Sequence, residues 1–96
     1  MLSCRGDEDK ATQGSRRRAF ARAIKAQRDV IVDLRELAFA DSSLMLDLAA
    51  LARRLRMDGF ALKLRSPQPQ VWYVIELVGL HRLPGVMIDG AAPALA

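Results

Sequence analysis

The 96 residues include one cysteine and one histidine. Cys4 alone cannot close an internal disulfide, and a lone thiol suits a reducing compartment, so a cytoplasmic protein is expected. The same scarcity leaves no ligand set for a zinc-type centre and no Cys–His nucleophile pair. Aromatic residues make up 5% of the chain, too few to interleave with cations as a nucleic-acid surface does. The loop Ser66-Pro67-Gln68-Pro69 contains no glycine and cannot cradle a phosphate. The longest apolar runs, Leu48 to Ala52 and Val71 to Ile75, are five residues each. A membrane-spanning helix needs about 20. The opening Met1-Leu2-Ser3-Cys4-Arg5-Gly6-Asp7 lacks the apolar core of a secretory signal. No metal, no cofactor, no membrane insertion and no direct nucleic-acid partner are expected.

What is present is the material of one small globule. Hydrophobic residues make up 51% and charged residues 27%, which together with the length sets an expectation of a single domain with a modest core. The net charge of +4 resides entirely in residues 1–29, with eight basic and four acidic side chains; residues 30–96 hold seven of each. The basic stretch Arg16 to Arg28 contains only Phe20 as an aromatic and reads as a solvated helix face.

Residues 1–14 are polar, carry Asp7-Glu8-Asp9 and show no apolar period, which predicts a flexible tail without strands. A first helix is expected from Ser15 to Gln27, docked through Phe20, Ala23 and Ile24. Its Arg16-Arg17-Arg18 turn places cations at the positive end of the helix dipole. The Asp7 to Asp9 run is one candidate to compensate them. Val30-Ile31-Val32-Asp33-Leu34 is β-branched and short, as in a strand covered on both faces. Asp41-Ser42-Ser43 marks a helix start, and a second helix follows from Ser43 to Arg56 with Leu44, Leu48, Leu51 and Leu55 as its inner stripe. Phe60 to Arg65 alternates as a strand. Pro69 opens a third helix with Val71, Val74, Ile75 and Val78 inward and Gly79 ending it. Val86-Met87-Ile88 is a last strand, and residues 89–96 are expected to be loose. The alternation of helix and strand predicts a single α/β domain over residues 15–88, a small, mainly parallel sheet packed against helices.

Few residues invite chemistry. Asp33 reads as a hydrogen-bonded strand end, with no second acid placed beside it by spacing. His81 reads as a loop residue and Cys4 as incidental. Trp72 and Tyr73 lie off the inner stripe of their helix, at the edge of the core or in a contact patch. No constellation of acid, base and nucleophile emerges, so an enzyme is not expected. Ser42 reads as an N-cap whose hydroxyl accepts a backbone N–H, with Asp41 as a second capping acid.

The strand Val30-Ile31-Val32-Asp33-Leu34, the Asp41-Ser42-Ser43 helix start, Leu51-Ala52-Arg53-Arg54-Leu55, Ile75-Glu76-Leu77-Val78-Gly79-Leu80 and Arg82-Leu83-Pro84 together resemble a STAS domain. This is the fold of sulfate-transporter domains and anti-sigma-factor antagonists. In the bacterial antagonists, the serine after the aspartate is phosphorylated by a partner kinase that is itself the anti-sigma factor. The unphosphorylated antagonist binds that kinase, and the phosphorylated form releases it. The resemblance implies Ser42 as the phosphorylated residue, flanked by Asp41 and Ser43, with an anti-sigma-factor serine kinase and a phosphoserine phosphatase as partners. Its alternative implication is a non-switching STAS subunit, an accessory or scaffold in a lipid-transport or stress complex. Leu44 and Leu46 stand where the family's motif usually has glycines. Residues 1–14 are expected to lack the strand or strands that precede the family's first helix. A sheet short of a strand exposes an edge, through which the chain would dimerise unless it is marginally stable or part of a longer reading frame.

Leu44, Met45 and Leu46 carry a geometric expectation of their own. Successive helical residues turn by about 100°, so three in a row span roughly 200°, wider than a core-facing stripe. Leu44 belongs to the inner stripe. Met45 or Leu46 should then be exposed beside Ser42, and both join Asp41, Ser42 and Ser43 as candidate partner contacts.

Overall fold

Alternating side chains build the sheet. In β3 (Val30–Asp33) and β5 (Leu62–Arg65), Val30, Val32, Leu62 and Leu64 are buried while Ile31, Asp33, Lys63 and Arg65 lie on the other face, the two-residue period of a strand packed on one side. The computed structural model describes residues 2–4, 6–8 and 13–90. Within it β1 (Leu2–Ser3), β3, β5 and β6 (Val86–Asp89) form a four-stranded sheet in the order β1-β3-β5-β6. Every neighbouring pair is parallel, and the register sets Leu2, Val32, Leu64 and Ile88 in one inward row. A second, two-stranded parallel sheet pairs β2 (Gly6–Glu8) with β4 (Leu37–Ala40).

Parallel neighbours need crossovers, and α1 (Gln13–Lys25), α2 (Ser42–Met57) and α3 (Pro69–Val78) supply them. The α2 stripe Leu44, Leu48, Leu51 and Leu55 meets the inward strand residues together with Phe20, Val71 and Ile75 in one core. Removing these side chains from water is the main favourable term of the fold. Gly79 closes α3 at φ 78°, a left-handed conformation that other residues adopt only with strain. A short 3-10 helix, Leu80–Arg82, then leads to β6.

The positions of β3, β5, β6, α2 and α3 agree with this architecture, with α2 one residue longer at each end and β5 starting at Leu62 rather than Phe60. Three points are corrected: β3, expected to be covered on both faces, packs one face on the core; Val78, expected inward, is exposed at the last residue of α3; and β4 is a strand where no element is expected. The N-terminal readings need correction. Leu2–Ser3 and Gly6–Glu8 are strands, and α1 begins at Gln13 rather than Ser15. Backbone pairing overrides the polar composition here: Cys4 donates its N–H to the Asp33 carbonyl at 3.0 Å and is 4% exposed in the core, so it is not an incidental tail residue. The sheet edge is therefore not missing its strand. β1 pairs with Val32 and Asp33 and leaves Val30 and Ile31 without a neighbour on that side among the described residues. Asp89, expected in the loose end over 89–96, is the last residue of β6 and pairs with Arg65; residues 91–96, and residues 9–12 of the expected tail, lie outside the described residues.

Candidate functional site

Asp33 ends β3 and accepts the Arg35 N–H on its Oδ1 at 2.9 Å, the hydrogen-bonded strand end expected of it. The chain turns there, runs through β4, and delivers Asp41 to the start of α2. Asp41 is the N-cap in extended conformation. Its Oδ1 accepts from the N–H groups of Ser43 (3.0 Å) and Leu44 (3.3 Å) and from the Ser43 hydroxyl (2.7 Å). Two of the otherwise unpaired donors of the first turn are thereby satisfied. The Ser43 hydroxyl foremost holds the Asp41 carboxyl below its ordinary value; the Leu44 and Ser43 N–H groups and the nearby Arg16 act in the same sense, against desolvation.

Ser42 is therefore not the cap. It is the first residue of α2, exposed, and its hydroxyl has no hydrogen-bond partner among the described residues. Ser43 is half-buried and committed on both sides: it donates to Asp41 and accepts from Arg16 Nη2 at 3.3 Å. Of the two adjacent serines, only Ser42 offers a free hydroxyl to a partner.

The helix start is fixed to α1 by an ion pair that sequence reasoning missed. Arg16 Nη2 and Nε approach Asp47 Oδ2 at 2.7 and 2.9 Å, with side chains 3% and 9% exposed. Arg17 reaches the other oxygen of Asp47 at 3.2 Å from an exposed position. Asp47 thus compensates the Arg16 and Arg17 cations of α1 across the helix interface; the side chains of the Asp7 to Asp9 run, one candidate for that role, lie outside the described residues. The signal was available: Arg16 lies four residues before the buried Phe20, and Asp47 lies between Leu44 and Leu51 of the inner stripe. A charged residue on a core-facing stripe requires a partner.

Leu46 lies one turn beyond Ser42 on the same helix face and is 70% exposed. Met45, expected as a second partner contact, is 3% exposed and belongs to the core; it points inward beside Leu44 and Leu48 and is withdrawn from the candidate surface. Phe39, three residues before Ser42 on β4, is 54% exposed and was not singled out. Its signal is an aromatic on a strand whose neighbours Leu37 and Ala40 are the inward positions. Away from this region, Tyr73 is exposed, and Trp72 packs partly against the core, edge-on to His81 at 6.5 Å between ring centres. His81 is half-buried in the 3-10 helix rather than on an open loop.

Among the described residues no helix is long and apolar enough to cross a membrane, and no three His, Cys, Asp or Glu side chains gather as metal ligands. Fold and site together define a small α/β domain that displays a free serine hydroxyl and a large apolar side chain on one face of a helix start. The chain belongs to the STAS domain family, which it matches over residues 1–89. A solved structure similar to it is that of the anti-sigma factor antagonist SpoIIAA in its unphosphorylated form. The likeness covers 93% of this chain and 76% of that one, with 25% identity and a TM-score of 0.75. No curated protein sequence matches the chain.

Proposed function

We propose that this protein is an anti-sigma-factor antagonist, a cytoplasmic regulatory module that acts by binding rather than by catalysis. The observation that carries this reading is the Ser42 hydroxyl: exposed, without a hydrogen-bond partner among the described residues, and at the first position of α2 while Asp41 caps the helix. A kinase can take that hydroxyl without dismantling a structural hydrogen bond. The likeness to SpoIIAA supports an anti-sigma-factor serine kinase as the partner, with a phosphoserine phosphatase to reset the site.

The chemistry of release follows from position. A phosphate adds a charge of about −1.5 to −2 at neutral pH. A helix N-terminus tolerates that charge, so the fold survives it. The partner does not. A surface that had closed over Ser42, Leu46 and Phe39 would face a doubly charged group beside the Asp41 carboxylate, with both desolvation and repulsion against it.

Incubation with the candidate kinase and ATP, read by intact mass, tests the reading. One added phosphate that disappears in Ser42→Ala is the expected result. Phosphate on Ser43, or none on the folded chain, would remove the switch and leave a constitutive STAS scaffold.

A further inference from the structure

One side of α2 faces the turn that joins the 3-10 helix to β6, and its side chains there are short. Ala49 is half-buried and Ala52 is buried, and neither fills the space in front of Leu83 and Pro84. An open cavity of about 160 Å³ is left between helix and turn, with Arg53 and Arg56 completing its lining. A methyl group at Gly85 would lie 3.7 Å from the Arg56 Cβ, so the turn packs on the aliphatic stem of that arginine. Both arginines are exposed, and neither has an ion-pair partner among the described residues.

Volume decides what fits. Pockets for whole small molecules run from about 300 to about 1,000 Å³, so this notch takes a single side chain. Position decides what supplies it. Ala49, Arg53 and Arg56 follow Ser42 on α2 and lie within about 40° of it around the helix axis, Ala49 about 10 Å and Arg53 about 16 Å further along. A standard interface of about 800 Å² per partner is about 30 Å across, so a protein that covers Ser42 covers the notch as well.

We propose that the partner that closes over Ser42 anchors itself here, with an apolar side chain inserted among Ala49, Ala52, Leu83 and Pro84 and a neighbouring carboxylate held by Arg53 and Arg56. A side chain packed into a pocket within a polar rim is the kind of contact that dominates binding energy. Two unpaired guanidinium groups beside that pocket select an acidic segment over a basic one. The proposal rests on the reading of Ser42 as a partner-facing residue, and adds a contact remote from its hydroxyl.

Two measurements test it. In amide NMR of the full chain, phenylacetate, an apolar ring carrying a carboxylate, should produce saturable shifts at Ala49, Ala52, Arg53 and Gly85. Neither acetate, which lacks the ring, nor phenethylammonium, which reverses the charge, should do so. In titration calorimetry with the candidate anti-sigma-factor kinase, Arg53→Glu combined with Arg56→Glu should bind at least about tenfold more weakly than the wild type. Arg18→Glu combined with Arg22→Glu, an equal change of charge at exposed positions of α1, should bind as the wild type does. No saturation by phenylacetate, equal shifts with either control, or unchanged kinase affinity in the Arg53 and Arg56 variant would each overturn the proposal and leave the Ser42 reading standing. Equal losses in the two double variants would show general electrostatic steering and overturn it as well. A kinase that does not bind the wild type would overturn the Ser42 reading, and this proposal with it.

Discussion

The Asp41 carboxylate accepts three hydrogen bonds at the start of α2, while the adjacent Ser42 hydroxyl is left without a partner among the described residues. This division of labour separates the structural role from the proposed signalling role. Asp41→Ala should lower the urea midpoint, the usual effect of losing a capping side chain. Its pH dependence has a defined sign. The folded state holds the carboxyl below its ordinary value of 3.8, so the unfolded chain binds the proton more readily and the contribution grows with pH through that range. It is complete above the ordinary carboxylate value and lost as pH falls through the depressed one. The gap between wild type and Asp41→Ala should therefore stay constant from about pH 7 to about pH 5 and close below 3.8. A gap that persists in strong acid would show that hydrogen bonding to the ionised carboxylate is not its source.

The elements show what the sequence disclosed and what it withheld. Strands β3, β5 and β6 and helices α2 and α3 are legible because their apolar residues repeat with a period of two or of about 3.6 over whole segments. Gly79 and Pro69 mark the ends of α3 by backbone chemistry alone. β1, β2 and β4 are not legible in the same way. Two to four residues carry no period, and their pairing is decided by partners distant in sequence, Val32 and Asp33 for β1 and Leu37 to Ala40 for β2. At the site, the helix start alone points to Ser42 as the cap, a place Asp41 takes; Ser42 as a modified residue comes from the resemblance of Asp41-Ser42-Ser43 to the family's motif. Leu46 follows from the angular width of the core, but Met45 against Leu46 could not be separated without knowing how α2 is rolled. Arg16 was hidden among three consecutive arginines. Its pair with Asp47 is the joint between α1 and α2, and it yields a distinctive prediction. Asp47→Ala should cost about 3 kcal/mol, because it removes the carboxylate facing the buried Arg16 guanidinium, and Arg16→Ala should cost less, because Arg17 still reaches Asp47. Arg16→Leu combined with Asp47→Leu should be near neutral, since desolvation of both ions is relieved. Urea midpoints of the three variants decide it; a double variant as unstable as either single one would show that the pair is net stabilising. Leu46→Gly tests the exposed face of the same helix. It should lower stability by about 1 kcal/mol through helix propensity, and it should also weaken the partner after correction for the folded fraction. Unchanged affinity would confine Leu46 to stiffening the first turn.

At the scale of the whole molecule, one sheet face and three helices share a single core, and the proposed switch lies on its surface rather than within it. A charge added at Ser42 touches none of the buried side chains, so the change on phosphorylation is expected in affinity and not in fold. The circular dichroism spectrum and urea midpoint of Ser42→Asp should match those of the wild type. The most direct measurement is the affinity of both forms for the anti-sigma-factor kinase by titration calorimetry. A free, partner-facing Ser42 predicts that Ser42→Asp binds at least about tenfold more weakly, a difference of about 1.4 kcal/mol. Equal affinity of the two folded proteins would contradict it.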